Sequence, residues 1–360
     1  GDEAPCADLL AQYLGDCPNL ELSFQEIGEN RKNLIATLKG TGEKKAILLN
    51  GHLDVVPVGE RANWKYDPFG AQIVDGTMYG RGTGDMKAGL LALAAALKLH
   101  AQSGKPLKGD VVFLATCGEE VDGCGARAFV KDHDMSAFDA SIIAEPTGSA
   151  VVSAEKGLLW VKIHSAGVTA HGSVPETGVN AIQYLMEALF HIKAGFNPQS
   201  IHPTLGKTTM NIGVFHGGME PNIVPDSAYA SIDFRCVPGY DHNDVLQLID
   251  DSIAKVKAEH SDANLWVEIL NNRLGISPPP HHPPIQKAVE LNRKMGLSTT
   301  IEGKVACTDG SILNTVCDTP MLIYGPGESS QAHVYDEYVT LEAFHNNVAF
   351  FYDILEELLG

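Results

Sequence analysis

The stretch GDVVFLATCGEEVDGCGARAFVKDH, residues 109–133, contains a predicted strand, an acidic loop and a predicted helix in succession. The apolar run 109–116 is typical of a buried strand, and 126–133 is typical of a short helix. Further strand and helix patterns of the same kind lie at 46–56, 86–102 and 140–145. This alternation predicts a layered α/β domain, in which polar residues at the carboxyl ends of the strands line the site.

The middle of the chain has a different order of elements. Between residues 158 and 271 the patterns follow the order β-α-β-β-α-β, which is typical of a ferredoxin-like sandwich. The proline-rich run SPPPHHPP, 277–284, then indicates a linker. We therefore predict a larger α/β domain formed by residues 1–156 and 274–360. An inserted α+β domain at 157–273 interrupts it.

Composition excludes several kinds of partner. The 360 residues carry a formal charge of −19, which argues against nucleic acid and against an anionic membrane surface. No apolar run approaches the roughly 18–20 residues of a membrane span. Seven cysteines are scattered along the chain without a CxxC spacing. An odd, scattered set predicts reduced thiols and a cytoplasmic protein.

Seven side chains that can bind metal ions or move protons follow predicted strands, precede the long helix or lie near the end of the chain. They are His52, Asp54, Asp85, Glu119, Glu120, Glu145 and His333. Two histidines and three carboxylates suit two zinc-like ions, with one carboxylate bridging and a position at each ion open for water. Asp54 is spaced to hold the second ring nitrogen of His52. Either Glu119 or Glu120 then remains to take a proton from water. The residues alone leave open which of the two does so.

Plainer interpretations exist for these residues taken singly, such as a solvated loop acid or a helix cap. A phosphate-binding loop is a further alternative for GRGTGDMKAG, residues 80–89. In the GxGxxG frame, however, Asp85 or Lys87 stands where the third glycine belongs, and no GxxxxGK[ST] pattern is present. Because a carboxylate would repel phosphate, the glycines are better explained as a sharp bend that presents Asp85.

Motifs along nearly the whole chain occur in a recognisable order. They are GHLDVVP (51–57), GRGTGDMKAG (80–89), TCGEEVDGCGA (116–126), AEPT (144–147), GVTAHGSVPETGVNA (167–181), PNIVPDSAYASIDFR (221–235) and AHVYDE (332–337). The sequence in this respect resembles the acetylornithine deacetylase, succinyl-diaminopimelate desuccinylase and carboxypeptidase G family of co-catalytic zinc hydrolases. The resemblance implies that the α/β domain is a zinc-exopeptidase-like catalytic domain with a mixed sheet. It also implies that the inserted domain is a ferredoxin-like α+β lid, through which the protein forms a homodimer.

The resemblance also implies how two Zn²⁺ ions are held, with Co²⁺ or Mn²⁺ as substitutes. Asp85 is expected to bridge the ions, with a cis peptide bond following it. His52 and Glu145 complete one ion, and Glu120 and His333 complete the other.

Further roles follow from the same resemblance. Glu119 is implied to be the general base, which then protonates the leaving amine. His171 resembles a lid histidine that reaches across the dimer to the substrate carbonyl. Asn222 and Arg235 resemble lid residues that hold substrate, and Thr308 lies where relatives have a substrate-contacting loop. For these four positions a turn, an interface or an ion pair with a neighbouring acid remains an open alternative.

The expected function is therefore metal-dependent hydrolysis of the amide bond in a small N-acyl amino acid, by attack of a metal-activated water on the carbonyl. Deacetylation of an acetylornithine-type substrate or desuccinylation of a succinyl-diaminopimelate-type substrate is favoured. An exopeptidase or dipeptidase with the same site is the first alternative. A catalytically inactive binding relative is the second, and the intact Glu119 argues against it.

Overall fold

The computed structural model of the protein describes residues 1–17, 19–314 and 319–360. These divide into two compact units. Unit 1 comprises Gly1–Ala154, Ser277–Lys304 and Thr308–Gly360, and unit 2 comprises Glu155–Ile276 with Val305–Cys307. Unit 2 spans the segment 157–273 in which the sequence predicts the insertion. Within the described ranges, no helix is long and apolar enough to cross a bilayer.

Unit 1 alternates strands and helices as predicted. Its strands are β1 (Leu20–Gly28), β2 (Arg31–Leu38), β3 (Ala46–His52), β4 (Gln72–Val74), β5 (Thr77–Tyr79), β6 (Val111–Thr116), β7 (Phe138–Ile143), β8 (Val151–Glu155, whose last residue falls in unit 2), β15 (Ile301–Lys304), β16 (Met321–Ile323) and β17 (Tyr338–Thr340). Its helices are α1 (Ala4–Leu14), α2 (Ala88–Ser103), α3 (Cys124–Asp132), α6 (Pro283–Met295), α7 (Gly310–Leu313) and α8 (Leu341–Leu359).

The central sheet of unit 1 places several strand ends along one edge. Among the described residues, eight strands pair in the order β1-β2-β6-β3-β7-β16-β8-β15. Strands β3, β6, β7 and β16 run parallel, whereas β1, β2 and β8 pair antiparallel with their neighbours. The sheet is therefore mixed, as the family resemblance implies. Because β3, β6 and β7 point the same way, the residues that follow them emerge together.

Helix α2 covers this sheet through an apolar interface. Most of its alanine and leucine side chains are buried against β3, β6 and the apolar face of α8, whereas Leu91 and Leu99 are exposed. The first turn of α2 approaches β7 so closely that a Cβ at Gly89 would lie 2.0 Å from the carbonyl oxygen of Ala144. Only glycine permits this approach. It brings the segment that precedes α2 next to the end of β7.

Unit 2 has the β-α-β-β-α-β order that the sequence predicts, with one additional short hairpin between its first helix and its second long strand. Its elements are β9 (Gly157–Ala166), α4 (Ala181–Gly195), β10 (Ile201–His202), β11 (Gly206–Lys207), β12 (Thr209–Gly217), β13 (Ser227–Cys236), α5 (His242–Glu259) and β14 (Asn264–Arg273). The four long strands form an antiparallel sheet in the order β12-β13-β9-β14. Both helices bury their apolar faces on this sheet, giving unit 2 a core of its own.

Candidate metal centre

The parallel strands of unit 1 deliver three of the predicted ligands to one edge of the sheet. His52 is the last residue of β3 and pairs in register with Thr116 at the end of β6. Glu120 lies in the loop after β6, and Glu145 in the loop after β7. The register of the sheet therefore brings together residues that are far apart in sequence.

Asp85 arrives at the same edge from the glycine-rich segment between β5 and α2. The peptide bond between Asp85 and Met86 is cis, as the family resemblance implies. Gly82 has φ 85°, a left-handed conformation that a residue with a side chain rarely adopts. The predicted sharp bend is confirmed, and Asp85 ends up buried at the end of the strands.

Two clusters of possible metal ligands share Asp85. In the first, Nε2 of His52 lies 3.3 Å from Oδ1 of Asp85 and 3.7 Å from Oε1 of Glu145, and all three residues are buried. In the second, Nε2 of His333 lies 3.7 Å from Oδ2 of Asp85 and 2.9 Å from Oε2 of Glu120. The His333 side chain is 53% exposed, so the second cluster is open to solvent where the first is closed.

Electrostatics at the first cluster favour bound positive charge. Burial lowers the pKa of His52, but its hydrogen bond to Asp85 and the charges of Glu145, Asp85 and Asp54 outweigh burial and raise that pKa well above the ordinary value. Burial, followed by the negative charge of Asp85, raises the pKa of Glu145 well above its usual range. Carboxylates crowded in a buried site attract a cation, whether a proton or a metal ion.

Charged neighbours also outweigh burial in setting the pKa values of His333 and of Asp85, the carboxylate that both clusters share. The hydrogen bond to Glu120 raises the pKa of His333, although partial burial opposes it. Burial raises the pKa of Asp85, but the hydrogen bond from His52 and nearby positive charges outweigh burial, so the net shift is downward. Asp85 is thus an anion at neutral pH, as a bridging ligand needs to be.

Asp54 holds His52 in a different way from the one predicted. The backbone carbonyl oxygen of Asp54 lies 3.0 Å from Nδ1 of His52, whereas its carboxylate oxygen is 3.6 Å away. The carboxylate instead accepts hydrogen bonds from the backbone N–H groups of Glu119, at 3.1 Å, and Glu120, at 3.0 Å. Asp54 therefore fixes the His52 ring through its backbone and the acidic loop through its side chain.

The acidic loop directs its two neighbouring carboxylates to different places. Residues 119–122, which follow β6, form a turn. The N–H of Gly123 donates to the carbonyl of Gly118 at 2.7 Å and closes it. Glu120 faces His333, while Glu119 is 92% buried, being 8% exposed. The turn, and not strand alternation, sends the two side chains to different places.

Two residues near the candidate ligands could not be identified from the sequence. Lys304 lies 3.6 Å from Oε2 of Glu145 and donates to the carbonyl of Pro146 at 3.1 Å. Glu337, which is fully buried, accepts the N–H of Asp85 at 2.8 Å. Glu337 does belong to the quoted motif AHVYDE, but nothing in that motif signals its distant partner.

The remaining predicted site residues stay predictions. His171 is exposed, and its Nδ1 lies 2.8 Å from Oγ of Ser173. The N–H of the next residue, Gly172, donates to the carbonyl of Asn222 at 2.8 Å, so these two segments of unit 2 are adjacent. Nε of Arg235 contacts both oxygens of Asp233, at 2.9 and 3.1 Å, which is the ion pair considered as its alternative.

Thr308, in unit 1, is fully buried rather than facing solvent. Its hydroxyl accepts the N–H of Gly310 at 3.0 Å in the turn before α7. The neighbouring Asp309 accepts a hydrogen bond from the hydroxyl of Thr116, which ends β6. This loop therefore packs against the strands that carry the ligands, and contact of Thr308 with substrate remains a prediction.

The donor set fits two divalent ions. In each cluster one ligand atom from each of the three residues lies within 4.8 Å of the others. Because ligand atoms lie about 2.0–2.2 Å from a bound Zn²⁺, three atoms this close together could share one ion. As ligands, Asp85, Glu120 and Glu145 would bring three negative charges against the four positive charges of two such ions. One net positive charge is then left to attract the oxygen of a water or a substrate.

Comparison with known proteins identifies the family of the chain. Residues 48–357 match the peptidase family M20/M25/M40. A probable succinyl-diaminopimelate desuccinylase of Staphylococcus epidermidis is 28% identical over 380 residues, covering 98% of this chain and 91% of that protein. An acetylornithine deacetylase of Edwardsiella ictaluri is 33% identical over 343 residues, covering 93% and 85%. The crystal structure of a tripeptidase from Staphylococcus aureus superposes with a TM-score of 0.76 at 25% identity, covering 98% and 91%. The chain therefore belongs to peptidase family M20/M25/M40, a family of hydrolases that act on amide bonds.

Proposed function

We propose that the protein hydrolyses the amide bond of a small N-acyl amino acid, as a deacetylase or desuccinylase. The observation that carries the proposal is Asp85, which two histidine–carboxylate clusters share. Relatives named succinyl-diaminopimelate desuccinylase and acetylornithine deacetylase, aligned over most of their length, support this substrate class.

Two Zn²⁺ ions, with Co²⁺ or Mn²⁺ as substitutes, would occupy the two clusters. When bound, such a pair polarises a carbonyl oxygen and acidifies a water. His52 and Glu145 would hold one ion, Glu120 and His333 the other, and Asp85 both. The exposure of His333 leaves the second cluster the more accessible to substrate.

Glu119 would act as the general base. Its carboxylate takes a proton from water, and the water oxygen forms a bond to the carbonyl carbon of the substrate. The carbon–nitrogen bond then breaks, and Glu119 passes the proton to the departing nitrogen. The products are a carboxylate and an amine. Asp54 supports this step because it holds the backbone N–H of Glu119 at 3.1 Å.

His171 is suited to stabilise the negative oxygen that develops on the substrate. The backbone N–H of Ser173 donates to Nδ1 of His171 at 3.2 Å, which places the proton of the neutral ring on Nε2. Nε2 can then donate a hydrogen bond to an oxyanion. The adjacent Asn222 and, in the same unit, Arg235 would hold the rest of the substrate, with Thr308 of unit 1 contributing its loop.

A homodimer formed through unit 2 is part of the proposal. Strand β12 is an edge strand, and the exposed fractions of Val214 and Phe215 are 45% and 46%. On the outer face of α4, Phe190 is 70% exposed. Large apolar side chains exposed along an unpaired edge favour association. Light scattering should report two chains per particle for the wild type and a shift toward one chain for Phe190→Glu. A monomeric wild type would refute the dimer.

A tripeptide or dipeptide is the second candidate substrate, because a tripeptidase structure superposes over nearly the whole chain. A panel of N-succinyl, N-acetyl and N-formyl amino acids, assayed beside dipeptides and tripeptides with zinc-loaded protein, separates the two. We expect the highest kcat/KM among the N-acyl amino acids. Higher values for peptides would establish the peptidase instead.

Glu119→Gln is the matched control for this panel, because it keeps the size of the side chain and removes the base. We expect it to bind metal normally and to lose at least 100-fold in kcat, the lower end of what general-base catalysis contributes. No hydrolysis of any panel member by the wild type, with two metal ions bound, would favour an inactive binding relative.

Location in the cytoplasm remains a prediction from the cysteine pattern.

A further inference from the structure

Glu337 lies beneath the segment that carries Asp85 and is fully buried. Its Oε1 accepts the backbone N–H groups of Gly84 and Asp85, each at 2.8 Å. Its Oε2 accepts the N–H of Gly82 at 3.0 Å and Nη1 of Arg81 at 2.6 Å. One carboxylate thus satisfies four donors from a single loop, which includes the proposed bridging ligand.

This arrangement solves a problem that the loop sequence creates. Gly80, Gly82 and Gly84 have no side chains with which to fix the backbone, and glycine has the largest conformational freedom of any residue. Buried N–H groups also need acceptors. A buried carboxylate accepts these N–H groups and at the same time holds the glycine-rich backbone in one conformation. Hydrogen bonds to a charged acceptor are shorter and roughly twice as strong as neutral ones.

Glu337 also connects the Asp85 loop to the segment that carries His333. The N–H of Gly80 donates to the backbone carbonyl of Glu337 at 2.9 Å. Two residues before Glu337, the ring of Tyr335 packs perpendicular to that of Trp64, and Arg81 lies 5.1 Å from the centre of the Trp64 ring. The segment after His333 is therefore packed against the same loop that presents Asp85.

We propose that Glu337 is a positioning residue that sets the distance between the two metal sites. It is in neither ligand cluster and acts through the backbone of Asp85. This inference rests on the proposed function, since it concerns how a bridging carboxylate is held. If so, replacing Glu337 should weaken binding of the second metal ion more than it lowers the overall stability of the protein.

Glu337→Gln and Glu337→Asp test the proposal in different ways. Glutamine keeps the shape but replaces one acceptor oxygen with a donor that faces N–H groups, and it leaves Arg81 without its counter-charge. Aspartate keeps the charge but withdraws both oxygens by one methylene. Asp336→Asn is the matched control, because Asp336 also accepts two backbone N–H groups, from Lys65 and Tyr66, outside the Asp85 loop.

The experiment is a Co²⁺ titration of metal-free full-length protein, followed by metal analysis, visible absorption and electron paramagnetic resonance. We expect the wild type and Asp336→Asn to bind two ions per chain with magnetically coupled spectra. For both Glu337 variants we expect the dissociation constant of the more weakly bound ion to rise about 10- to 100-fold. We also expect the magnetic coupling between the two ions to be lost. Circular dichroism and thermal unfolding show whether each variant is folded, and Glu337→Asp decides the question if the glutamine variant is not.

The outcomes separate this inference from the function on which it rests. Wild-type protein that binds two ions while both variants bind them with unchanged affinity and coupling would overturn the role of Glu337 alone. A lowered unfolding temperature with unchanged metal binding would also overturn it, since that is a purely structural effect. Wild-type protein that binds no second ion would overturn the proposed two-metal function as well.

Discussion

Replacing Asp54 with alanine should weaken metal binding, although Asp54 lies outside both ligand clusters. The Asp54 carboxylate accepts the backbone N–H groups of Glu119 and Glu120 at 3.1 and 3.0 Å. A hydrogen bond to a charged group contributes about 1.5–3 kcal/mol net. The alanine variant removes two, so about 3–6 kcal/mol that holds the acidic loop in place is at stake.

Part of that free energy should appear as lost function, because the loop carries both a ligand and the proposed base. We expect the Asp54→Ala protein to bind its weaker ion about 10- to 100-fold less tightly and to show a lower kcat. Asp54→Asn keeps one acceptor oxygen, so its loss should be intermediate. Isothermal titration of metal-free protein with zinc measures the affinities, and urea unfolding measures the change in stability.

Asp134→Ala is the matched control for loss of a carboxylate that accepts a backbone N–H. Asp134 accepts the N–H of Ser136 at 2.9 Å on the surface, away from the ligands. This variant should lose a little stability and no metal affinity. If Asp54→Ala bound both ions with wild-type affinity and kept wild-type kcat, the account of how the acidic loop is held would be refuted.

Three further predictions concern other parts of unit 1 and the thiols. The raised pKa values of His52 and His333 mean that zinc must displace protons; binding should release protons at pH 6, and apparent affinity should rise with pH. Calorimetry in buffers of different ionisation enthalpy tests this, and zero proton release would contradict it. Gly89→Ala should cost at least about 1–3 kcal/mol in urea unfolding, because the added Cβ meets backbone; unchanged stability would show that α2 can move. Burial raises the pKa of Cys117, and that of Cys236 to about 12, so both thiols should resist alkylation at pH 8 until the protein unfolds; rapid labelling of the folded protein would refute this.

Much of the fold and most of the candidate ligands could be predicted because short-range patterns encode them, whereas the choice of Glu120 over Glu119 came only from the family resemblance. The β-α-β-β-α-β order of unit 2 follows from hydrophobic periodicity, while His52 ends the apolar strand β3 and Glu145 lies in the loop after β7. Parallel strands then bring such residues together without any further information. Asp85 was predictable because its flanking glycines mark a bend.

The support behind the ligands could not be predicted in the same way. Glu337 contacts the N–H of Asp85, 252 residues earlier in the chain, and a backbone N–H leaves no signature in the sequence. The Lys304–Glu145 contact likewise depends on how β15 pairs at the sheet edge. The sequence spacing predicts that Asp54 contacts His52. The carboxylate of Asp54 instead accepts the N–H groups of the turn at 119–122, and hydrophobic periodicity does not reveal that turn.

Zinc titration of metal-free protein, with bound metal and hydrolysis of an N-acyl amino acid measured on the same samples, tests the proposed two-metal mechanism. We expect two ions per chain, no hydrolysis without metal, and recovery of hydrolysis as the ions bind. We also expect Glu119→Gln to bind two ions and to stay inactive. Hydrolysis that persists after complete metal removal, or a Glu119→Gln protein with wild-type turnover, would contradict it.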